Sequence, residues 1–542
     1  MRSVLVIGSG PAAAGAALAL VSRPDLRVTV LDIGAELDAE HRAAVGRLAG
    51  LSPRDWPGPE LESISRPPVA RSKHELPEKR AYGSGFALVD YGQRDGIDAR
   101  GRADAALVSG AYGGLSNIWG AQVMPFSPAS LAAWPISAPE MAPHYRAVCQ
   151  HLPVSGEHDD LDELFPHPEC LSPLPPLSAR TVMVLSNYVR HRDRLRRLGI
   201  TVGHARLALR AASCVRCGLC MTGCPYSLIY SASQTFDGLR AAKRLEYRSG
   251  LVVHRVGENF RGAVVHARET RSGQDIELTA DRVYLACGAL GTTRLVLGSL
   301  ALVGREVTLA ESAQFIFPAL SVRPAPDPRG LPDFTLGQFN MVVDYGPAGP
   351  DGPGQSQVQF YCYNPAVAQA LPDILSTRLA APVATQVLSR LTIGLGYLPS
   401  WASPRLRAKV TSLAPGRLPP LELEQGEWPA GPPALRQVLC KLLRSAALLD
   451  LWPVIPQLVV ARGGMSYHFG GSFPHRPRGT VPSPLTTDRV GRPPAWQRVH
   501  LVDGSVFPTV PATTFVLTLM ANAHRIASES LALDDDQTVA SP

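Results

Sequence analysis

The first 34 residues constrain the fold of this chain more than any other stretch. They read "MRSVLVIGSGPAAAGAALALVSRPDLRVTVLDIG" and predict a strand, a glycine turn, an alanine-rich helix and a second strand that ends at Asp32. Gly8 permits the tight turn, Gly10 lets the backbone approach a phosphate, and the small Ala13 stands where helix and strand pack closely. This βαβ unit predicts an α/β fold.

The same unit predicts dinucleotide binding. Pro11 and Ala12 belong to the turn that would hold the pyrophosphate, and Asp32 lies 24 residues after Gly8 (32 minus 8). An acid at about this distance accepts hydrogen bonds from the adenosine ribose hydroxyls. A bare glycine pattern is weak, but strand, turn, helix and acid are all present here. A turn with only a structural role is the alternative.

A dense cysteine run stands in the middle of the chain. The stretch "CVRCGLCMTGCP", 214 to 225, spaces four thiols like a bacterial ferredoxin and ends in proline: Cys214, Cys217, Cys220 and Cys224. We therefore predict an iron–sulfur cluster, either [4Fe–4S] or [3Fe–4S]. The fourth ligand is ambiguous, because in two-cluster ferredoxins the last cysteine of such a run binds the other cluster.

Three other interpretations of this run stay open. Structural zinc favours two separated CxxC pairs, whereas this is one dense run. Disulfides need an oxidising compartment, and the opening "MRSVLVIGSG" enters a strand with no charged leader or cleavage site, which favours a cytoplasmic protein. Four free buried thiols would be an unusual use of reactive side chains.

Composition places the chain among ordinary globular proteins of two or three domains. It has 542 residues, 45% of them hydrophobic and 18% charged. The net charge of +7 is spread out, with no Lys/Arg block, so nothing predicts a nucleic-acid partner. No apolar run reaches about 18 residues, so we expect no transmembrane segment. For the amphipathic stretch at 435 to 451 we favour core packing over membrane docking.

Four separated stretches resemble, in order, the glucose-methanol-choline (GMC) oxidoreductases. The opening βαβ unit is similar to the family's FAD-binding start, and "GGLSNIWGAQVMPF" resembles its glycine-rich flavin loop, nearer to the pyranose oxidase version. "ADRVYLACGALGTTRLVLGS" and "HLVDGSVFPTVPATTFVLTLMANAHRIA" resemble the later segments that return to the cofactor. The resemblance spans the architecture from residue 4 to 527, although the substrate domain matches only loosely.

This resemblance implies bound FAD and a set of residues around it. Asp32 would bind the ribose and Val253 would lie at the adenine. The loop from Gly113 to Asn117 would run along the pyrophosphate and flavin ring, so its binding residues would be Gly113, Gly114, Ser116 and Asn117. Asp503 and Gly504 would meet the ribityl chain and phosphate. Ile118 stands where pyranose oxidases carry the histidine that bonds flavin, which implies noncovalent FAD.

Alcohol oxidation needs a base for the hydroxyl proton while hydride passes to flavin N5, and neutral imidazole suits that task near pH 7. His468 stands where the family has its catalytic histidine, with His475 in reserve; a structural histidine is the plain alternative. Thr514 aligns with the family's second His or Asn. Threonine can share a hydrogen bond but cannot serve as a base, which leaves the substrate class less defined.

Together these features predict an FAD-dependent dehydrogenase that acts on an alcohol of a sugar or polyol-like substrate. Its electrons would leave through the iron–sulfur cluster to an acceptor protein or quinone, because some family dehydrogenases carry cysteines in the corresponding region. One alternative is an oxidase that uses oxygen and has structural cysteines. Another is a flavin and iron–sulfur electron carrier without its own alcohol substrate.

The predicted fold is α/β, with a discontinuous Rossmann-like FAD-binding domain and an α+β substrate domain built on a mostly antiparallel sheet. The FAD-binding domain would comprise residues 1–134, 235–304 and 496–542. The substrate domain would comprise 135–234, which includes the cysteine cluster at 214–224, and 305–495.

Overall fold

The structure, a computed structural model, describes residues 1–65, 80–88, 97–100, 108–166, 171–328, 331–349, 352–362, 381–477 and 479–539. Its helices are α1 Pro11–Val21, α2 Ala39–Ala49, α3 Gly58–Ser65, α4 Pro128–Leu131, α5 Ala138–Cys149, α6 Ala179–Arg197, α7 Ala232–Ala241, α8 Gly288–Ser299, α9 Ala381–Leu388, α10 Gly431–Leu449 and α11 Val516–Val539.

The strands follow the same chain order. They are β1 Arg2–Ile7, β2 Leu26–Leu31, β3 Ile97–Arg100, β4 Val154–Ser155, β5 Leu171–Ser172, β6 Ile200–His204, β7 Glu246–Arg248, β8 Leu251–Asn259, β9 Gly262–Glu269, β10 Asp275–Ala280, β11 Arg282–Leu285, β12 Val307–Glu311, β13 Gln314–Leu320, β14 Phe339–Gly349, β15 Gly352–Tyr361, β16 Leu391–Tyr397, β17 Leu406–Val410, β18 Leu421–Gln425, β19 Trp452–Pro453, β20 Val459–Val460, β21 Phe469–Gly470 and β22 Val499–Leu501.

A parallel sheet forms the centre of one of the two parts of the molecule. Its order is β22-β11-β1-β2-β7, and every neighbouring pair is parallel. The strands come from the beginning, middle and end of the chain, so this part of the protein is discontinuous in sequence. The βαβ unit predicted from the first 34 residues is present as β1, α1 and β2, and the predicted Rossmann-like architecture is confirmed.

The alanine-rich helix α1 is buried on all sides. Every residue from Ala12 to Val21 is buried, as expected for a helix that packs on a sheet and beneath a second helix. That second helix is α11, and a Cβ added to Gly15 would lie 2.2 Å from the carbonyl oxygen of Met520. The absence of a side chain at Gly15 therefore sets how closely the first and last helices approach.

An antiparallel sheet forms the centre of the other part of the molecule. Its main path is β19-β13-β16-β15-β14-β6, and β20 also pairs with β13. One face of this sheet carries large apolar residues that pack with α6 and α10 into a second core. The amphipathic stretch predicted at 435–451 is α10, whose residues Val438, Leu442 and Leu449 belong to that core. The predicted substrate domain with a mostly antiparallel sheet is confirmed.

The limits predicted for the two domains remain a prediction. One further sheet, β21-β12-β17-β18-β3, joins β3, predicted in the FAD-binding domain, to strands predicted in the substrate domain. A three-stranded sheet, β10-β9-β8, lies between them in sequence. No helix in the described part of the chain is both long and apolar enough to cross a membrane.

The contact at Gly15 gives a test of this packing. Gly15→Ala should lower the free energy of unfolding by roughly 1–3 kcal/mol, because overpacking outweighs the better helix propensity of alanine. Gly46→Ala is the matched control, since Gly46 also lies in a helix and a Cβ there meets nothing within 4 Å. Urea unfolding of both variants measures the difference. If both variants changed the free energy of unfolding by the same amount, the close approach of α1 and α11 would be contradicted.

Candidate active site

A cavity of about 510 Å³ lies between the parallel sheet and the antiparallel sheet. It brings together most of the residues that the sequence singled out for cofactor binding and catalysis. Those that line it are Gly8, Gly10, Pro11, Ala12, Asp32, Gly114, Ser116, Val253, His468, Asp503, Gly504 and Thr514. Gly113 and Asn117 do not line it.

At the glycine turn, backbone atoms without side chains line the cavity. Gly8 has a φ of +104°, and a Cβ there would lie 2.6 Å from the carbonyl oxygen of Ala286, so only glycine fits. Gly10 is the N-cap of α1, and a Cβ on it would meet nothing within 4 Å. The exposed N–H groups and the positive end of the helix dipole favour an anionic group such as a pyrophosphate at this position.

Asp32 lies immediately after β2, where it links the glycine turn to the neighbouring strand β7. Its carboxylate accepts hydrogen bonds from the hydroxyls of Ser9 and Tyr247, the latter at 3.0 Å. Burial raises the pKa of Asp32 to about 7, although both hydrogen bonds favour the charged form. A ligand hydroxyl that donates to this carboxylate would favour the charged form further.

The two loop residues that lie outside the cavity lining hold the glycine-rich loop in shape. The N–H of Gly113 donates to Ser9 Oγ at 3.0 Å. Asn117 Nδ2 donates to the carbonyl oxygens of Tyr112 at 3.0 Å and Gly114 at 2.8 Å. Ile118, which follows them, is buried and lines the cavity.

The C-terminal segment forms another part of the cavity wall. The Asp503 carboxylate accepts the N–H of Ser505 at 2.9 Å and the hydroxyl of Thr292, while burial raises its pKa. Thr514 and Phe515 line the cavity immediately before α11 begins at Val516. The helix therefore starts at the cavity, where its N-terminal dipole stabilises negative charge.

His468 is held against aromatic rings at the end of the cavity nearest the antiparallel sheet. Its imidazole stacks on Tyr397, with ring centroids 5.0 Å apart and an interplanar angle of 18°. The ring of Phe515 lies 4.8 Å away at 60°. The backbone is fixed as well, because the His468 carbonyl accepts the N–H of Ser312 at 3.1 Å.

His475, the reserve candidate, is placed differently. It is 1% exposed, its Nδ1 lies 2.7 Å from the carbonyl oxygen of Asp488, and it does not line the cavity. Burial holds its pKa well below the usual histidine value. This geometry favours His468 over His475 for any role in the cavity.

Sequence reasoning did not find Glu311, which supports the turn before His468. Glu311 is 1% exposed, and its Oε1 accepts the N–H of Gly464 at 2.8 Å and the hydroxyl of Ser466 at 2.9 Å. Ser466 Oγ in turn accepts the N–H of His468 at 3.1 Å. Burial raises the pKa of Glu311 to about 7. A lone glutamate at the end of a strand carries no signal in the sequence.

The cysteine run forms a loop that turns back on itself beside the cavity. Arg216, Gly218 and Gly223 all have positive φ values, of 53°, 80° and 120°, which gives a tightly wound backbone. Met221, inside the run, lines the cavity. The loop is fixed from outside by Tyr82, whose hydroxyl donates to the Cys224 carbonyl at 3.0 Å.

The thiols of the run lie close enough to influence one another. Burial, with a smaller contribution from the thiols of Cys224 and Cys214, raises the pKa of Cys217 to about 11. Burial, followed by the influence of Cys217 and Cys224, raises that of Cys220 to about 12. Within the described residues, however, no three histidine, cysteine or acidic side chains are grouped so as to hold a metal ion.

The residues of the structure therefore fit one of the two predicted cofactors better than the other. A dinucleotide fits, since a glycine turn, the carboxylate of Asp32 and a helix N-terminus face one continuous cavity. The thiols match a single metal ion poorly. An iron–sulfur cluster therefore remains a prediction from the spacing of the four cysteines in the sequence.

Comparisons with known proteins support the fold. No protein-family profile and no curated protein matches the chain, but solved structures do. Pyridoxine 4-oxidase from Mesorbium loti is 14% identical, with a TM-score of 0.59, over 98% of this chain and 99% of its own. A formate oxidase is 14% identical, with a TM-score of 0.60, over 99% of both chains.

A variant of the Aspergillus oryzae RIB40 formate oxidase is 13% identical, with a TM-score of 0.59, over 99% of both chains. These likenesses extend from end to end, so they concern the whole two-part architecture. The expectation drawn from the GMC resemblance is thereby confirmed at the level of the fold.

The buried carboxyl of Glu311 predicts a pH effect on stability. Its pKa is about 7 in the folded protein against a usual 4.5, so the unfolded chain loses this proton first. The contribution of Glu311 to the unfolding free energy should therefore decrease as pH rises from about 4.5 to about 7. Glu311→Gln should remove that decrease, as measured by urea unfolding at pH 5 and pH 8.

The exposed Glu306, just before β12, gives the control variant Glu306→Gln, which should keep the wild-type pH dependence. If Glu311→Gln also kept it, the carboxyl would not be protonated in the folded protein as described.

Proposed function

We propose that this protein is an FAD-dependent oxidoreductase that oxidises the CH–OH group of a small alcohol. The observation that carries the proposal is that His468 lines the same cavity as the dinucleotide turn at Gly8 and Gly10. A proton acceptor and a cofactor site that share one cavity are what hydride transfer from an alcohol requires. The solved structures with this fold are named as oxidases of pyridoxine and formate.

In this proposal the cofactor lies across the residues predicted to bind it. Asp32 binds the ribose, the N-terminus of α1 binds the pyrophosphate, and Asp503 and Gly504 bind near the flavin, without a covalent bond because Ile118 replaces the linking histidine. When bound, FAD supplies the hydride acceptor. Residues 1–134, 235–304 and 496–542 are proposed as its domain.

His468 then accepts the hydroxyl proton of the substrate. Tyr397 and Phe515 restrict its ring to one orientation, and a base held in place loses less entropy on reaching the transition state. Thr514 lines the cavity and is 4% exposed. No described residue accepts or donates a hydrogen bond at its Oγ1, which leaves that hydroxyl for the substrate oxygen.

For the electrons we propose an exit through an iron–sulfur cluster held by the cysteine run. Cys214, Cys217 and Cys220, with Cys224 as the fourth ligand, would bind it, and a cluster accepts electrons one at a time. The support is the ferredoxin spacing of the cysteines and the position of Met221 on the cavity wall. An acceptor protein or a quinone would take the electrons, and a sugar or polyol would supply them.

A second candidate is an oxidase that passes electrons directly to oxygen. It is favoured by the names of the similar solved structures reported above, which are oxidases. Hydrogen peroxide formed in equal amount to oxidised alcohol would select this candidate. Peroxide far below that amount, with fast transfer to a one-electron acceptor, would select the dehydrogenase.

Loss of His468 tests the proposed base. His468→Ala should retain FAD but slow the reduction of the flavin by alcohol roughly 10²- to 10⁴-fold, the usual effect of removing a general base. Anaerobic stopped-flow measurement of flavin bleaching gives this rate, and the visible spectrum gives the FAD content. His266→Ala is the control, because His266 lies in β9, away from the cavity. Reduction at the wild-type rate in His468→Ala would assign the role to another group.

The cysteine run is tested by metal analysis. Protein purified without oxygen should contain iron and acid-labile sulfide, and Cys217→Ser should lower both. The same variant should leave flavin reduction largely unchanged while slowing transfer to a one-electron acceptor. Cys440→Ser is the control, since Cys440 is exposed in α10. If the protein contained zinc in place of iron, the cysteine run would have a structural role and the oxidase would be the better candidate.

A further inference from the structure

One buried side chain of the cavity lining has a hydrogen-bond donor that no other described residue uses. Gln122 lines the cavity and is 3% exposed, and its Nε2 has no acceptor among the described residues. A buried N–H without an acceptor costs free energy, so nearly all buried donors in proteins have a partner. Sequence reasoning did not single out Gln122, because a glutamine within a glycine-rich loop carries no signal of its own.

The oxygen of the Gln122 amide is held by a chain of buried side-chain amides. Gln122 Oε1 accepts a hydrogen bond from Asn340 Nδ2 at 3.1 Å. Asn340 Oδ1 accepts one from Gln357 Nε2 at 3.3 Å, and Gln357 Oε1 accepts the backbone N–H of Thr514 at 3.2 Å. Asn340 and Gln357 are buried and do not line the cavity. The chain therefore joins two residues of the lining, Thr514 and Gln122, through two residues outside it.

The backbone at Thr514 fixes the direction of this chain. A side-chain amide can be turned over to exchange its oxygen and nitrogen, so its orientation follows from its partners. The N–H of Thr514 can only donate, which requires the oxygen of Gln357 at that contact. The nitrogen of Gln357 then requires the oxygen of Asn340, and the nitrogen of Asn340 requires the oxygen of Gln122. The group left without a partner is therefore Gln122 Nε2, which is a donor.

A neighbouring glutamine shows the contrast with a structural amide. Gln338 is also buried but does not line the cavity. Its Nε2 donates to Asp333 Oδ1 at 2.9 Å, and its Oε1 accepts the hydroxyl of Thr181 at 2.7 Å. Both ends of that amide thus have protein partners. Next to it, a Cβ on Gly337 would lie 2.5 Å from Gln122 Nε2, so the missing side chain at Gly337 leaves room for the Gln122 amide.

The chain also strengthens the donor at its end. In a row of amides that all donate in the same direction, each hydrogen bond polarises the next one. The N–H at the end of the row is then a better donor than that of an isolated glutamine. It suits an oxygen or nitrogen acceptor without a proton of its own, such as a carbonyl oxygen of the flavin ring or the oxygen of a substrate.

We propose that Gln122 binds the ligand of the cavity by donating from Nε2 to an oxygen or nitrogen acceptor, an inference that rests on the proposed function. Asn340 and Gln357 are positioning residues, which hold the Gln122 amide with its nitrogen free. The bound flavin and the substrate are the two sources of such an acceptor. Because the chain begins at the Thr514 backbone, it also ties this donor to the residue proposed to contact the substrate oxygen.

Gln122→Met removes the donor and keeps an unbranched side chain of similar size. It should raise one of two dissociation constants about 10-fold, the effect of one hydrogen bond. The first is the Kd of the apoprotein for FAD, measured by flavin fluorescence. The second is the apparent Kd of the FAD-loaded protein for benzyl alcohol and for D-glucose, measured by anaerobic flavin bleaching. A rise in the FAD constant assigns the acceptor to the flavin, and a rise in the alcohol constant alone assigns it to the substrate.

Asn340→Asp tests the chain with a side chain of the same shape. The carboxylate still accepts from Gln357 Nε2 but cannot donate to Gln122 Oε1, so the Gln122 amide should turn over and donate to the carboxylate. The same dissociation constant should then rise about 10-fold, because the donor to the ligand is lost. In the Gln122→Met background, Asn340→Asp should change that constant less than about 2-fold, since no amide is left to reorient.

Gln437→Met is the control, since Gln437 is exposed in α10 and does not line the cavity; it should leave both constants unchanged. Unchanged constants in folded Gln122→Met, shown by a Tm near that of the wild type, would overturn the inference. Equal effects of Asn340→Asp with and without Gln122→Met would also overturn it. If no alcohol reduced the wild-type flavin, the proposed function would fail, and the FAD constant alone would decide the inference, with an unchanged value overturning it.

Discussion

The close approach of α1 and α11 at Gly15 is the contact on which the rest of the structure depends. It joins a helix that begins at residue 11 to one that begins at residue 516. Because each helix starts at the cavity, the contact also determines where the glycine turn and the C-terminal segment meet. Burial of the all-apolar α1 between sheet and helix makes this arrangement energetically favourable.

Much of the candidate dinucleotide site could be predicted from the sequence. The turn at Gly8 and Gly10 and the acid at Asp32 are local patterns, in which the spacing along the chain fixes the spacing in space. Even so, the pattern could not separate residues that face the cavity from those that shape it. Gly113 and Asn117 are next to lining residues in sequence, yet they bond to Ser9 and to loop carbonyls.

The part of the cavity around His468 could not be predicted, because it depends on contacts between distant residues. Glu311 supports His468 across more than 150 positions of the chain through Ser466. The cavity lining contributed by β13, β15 and β16 depends on the register of these strands, and a shift of one residue would turn every side chain to the opposite face. The cysteine run is an intermediate case: its spacing is clear in the sequence, while the described structure holds no single-ion site there.

The glycines of β16 determine which face of that strand lines the cavity. A Cβ at Gly394 or Gly396 would lie within 2.5 Å of the rings of Phe317 and Phe315 respectively, so these rings fill the space behind the strand. Ile393, Leu395 and Tyr397, which alternate with the glycines, line the cavity. The two glycines therefore fix the register of β16, because a slip of one residue would place a side chain where each ring lies.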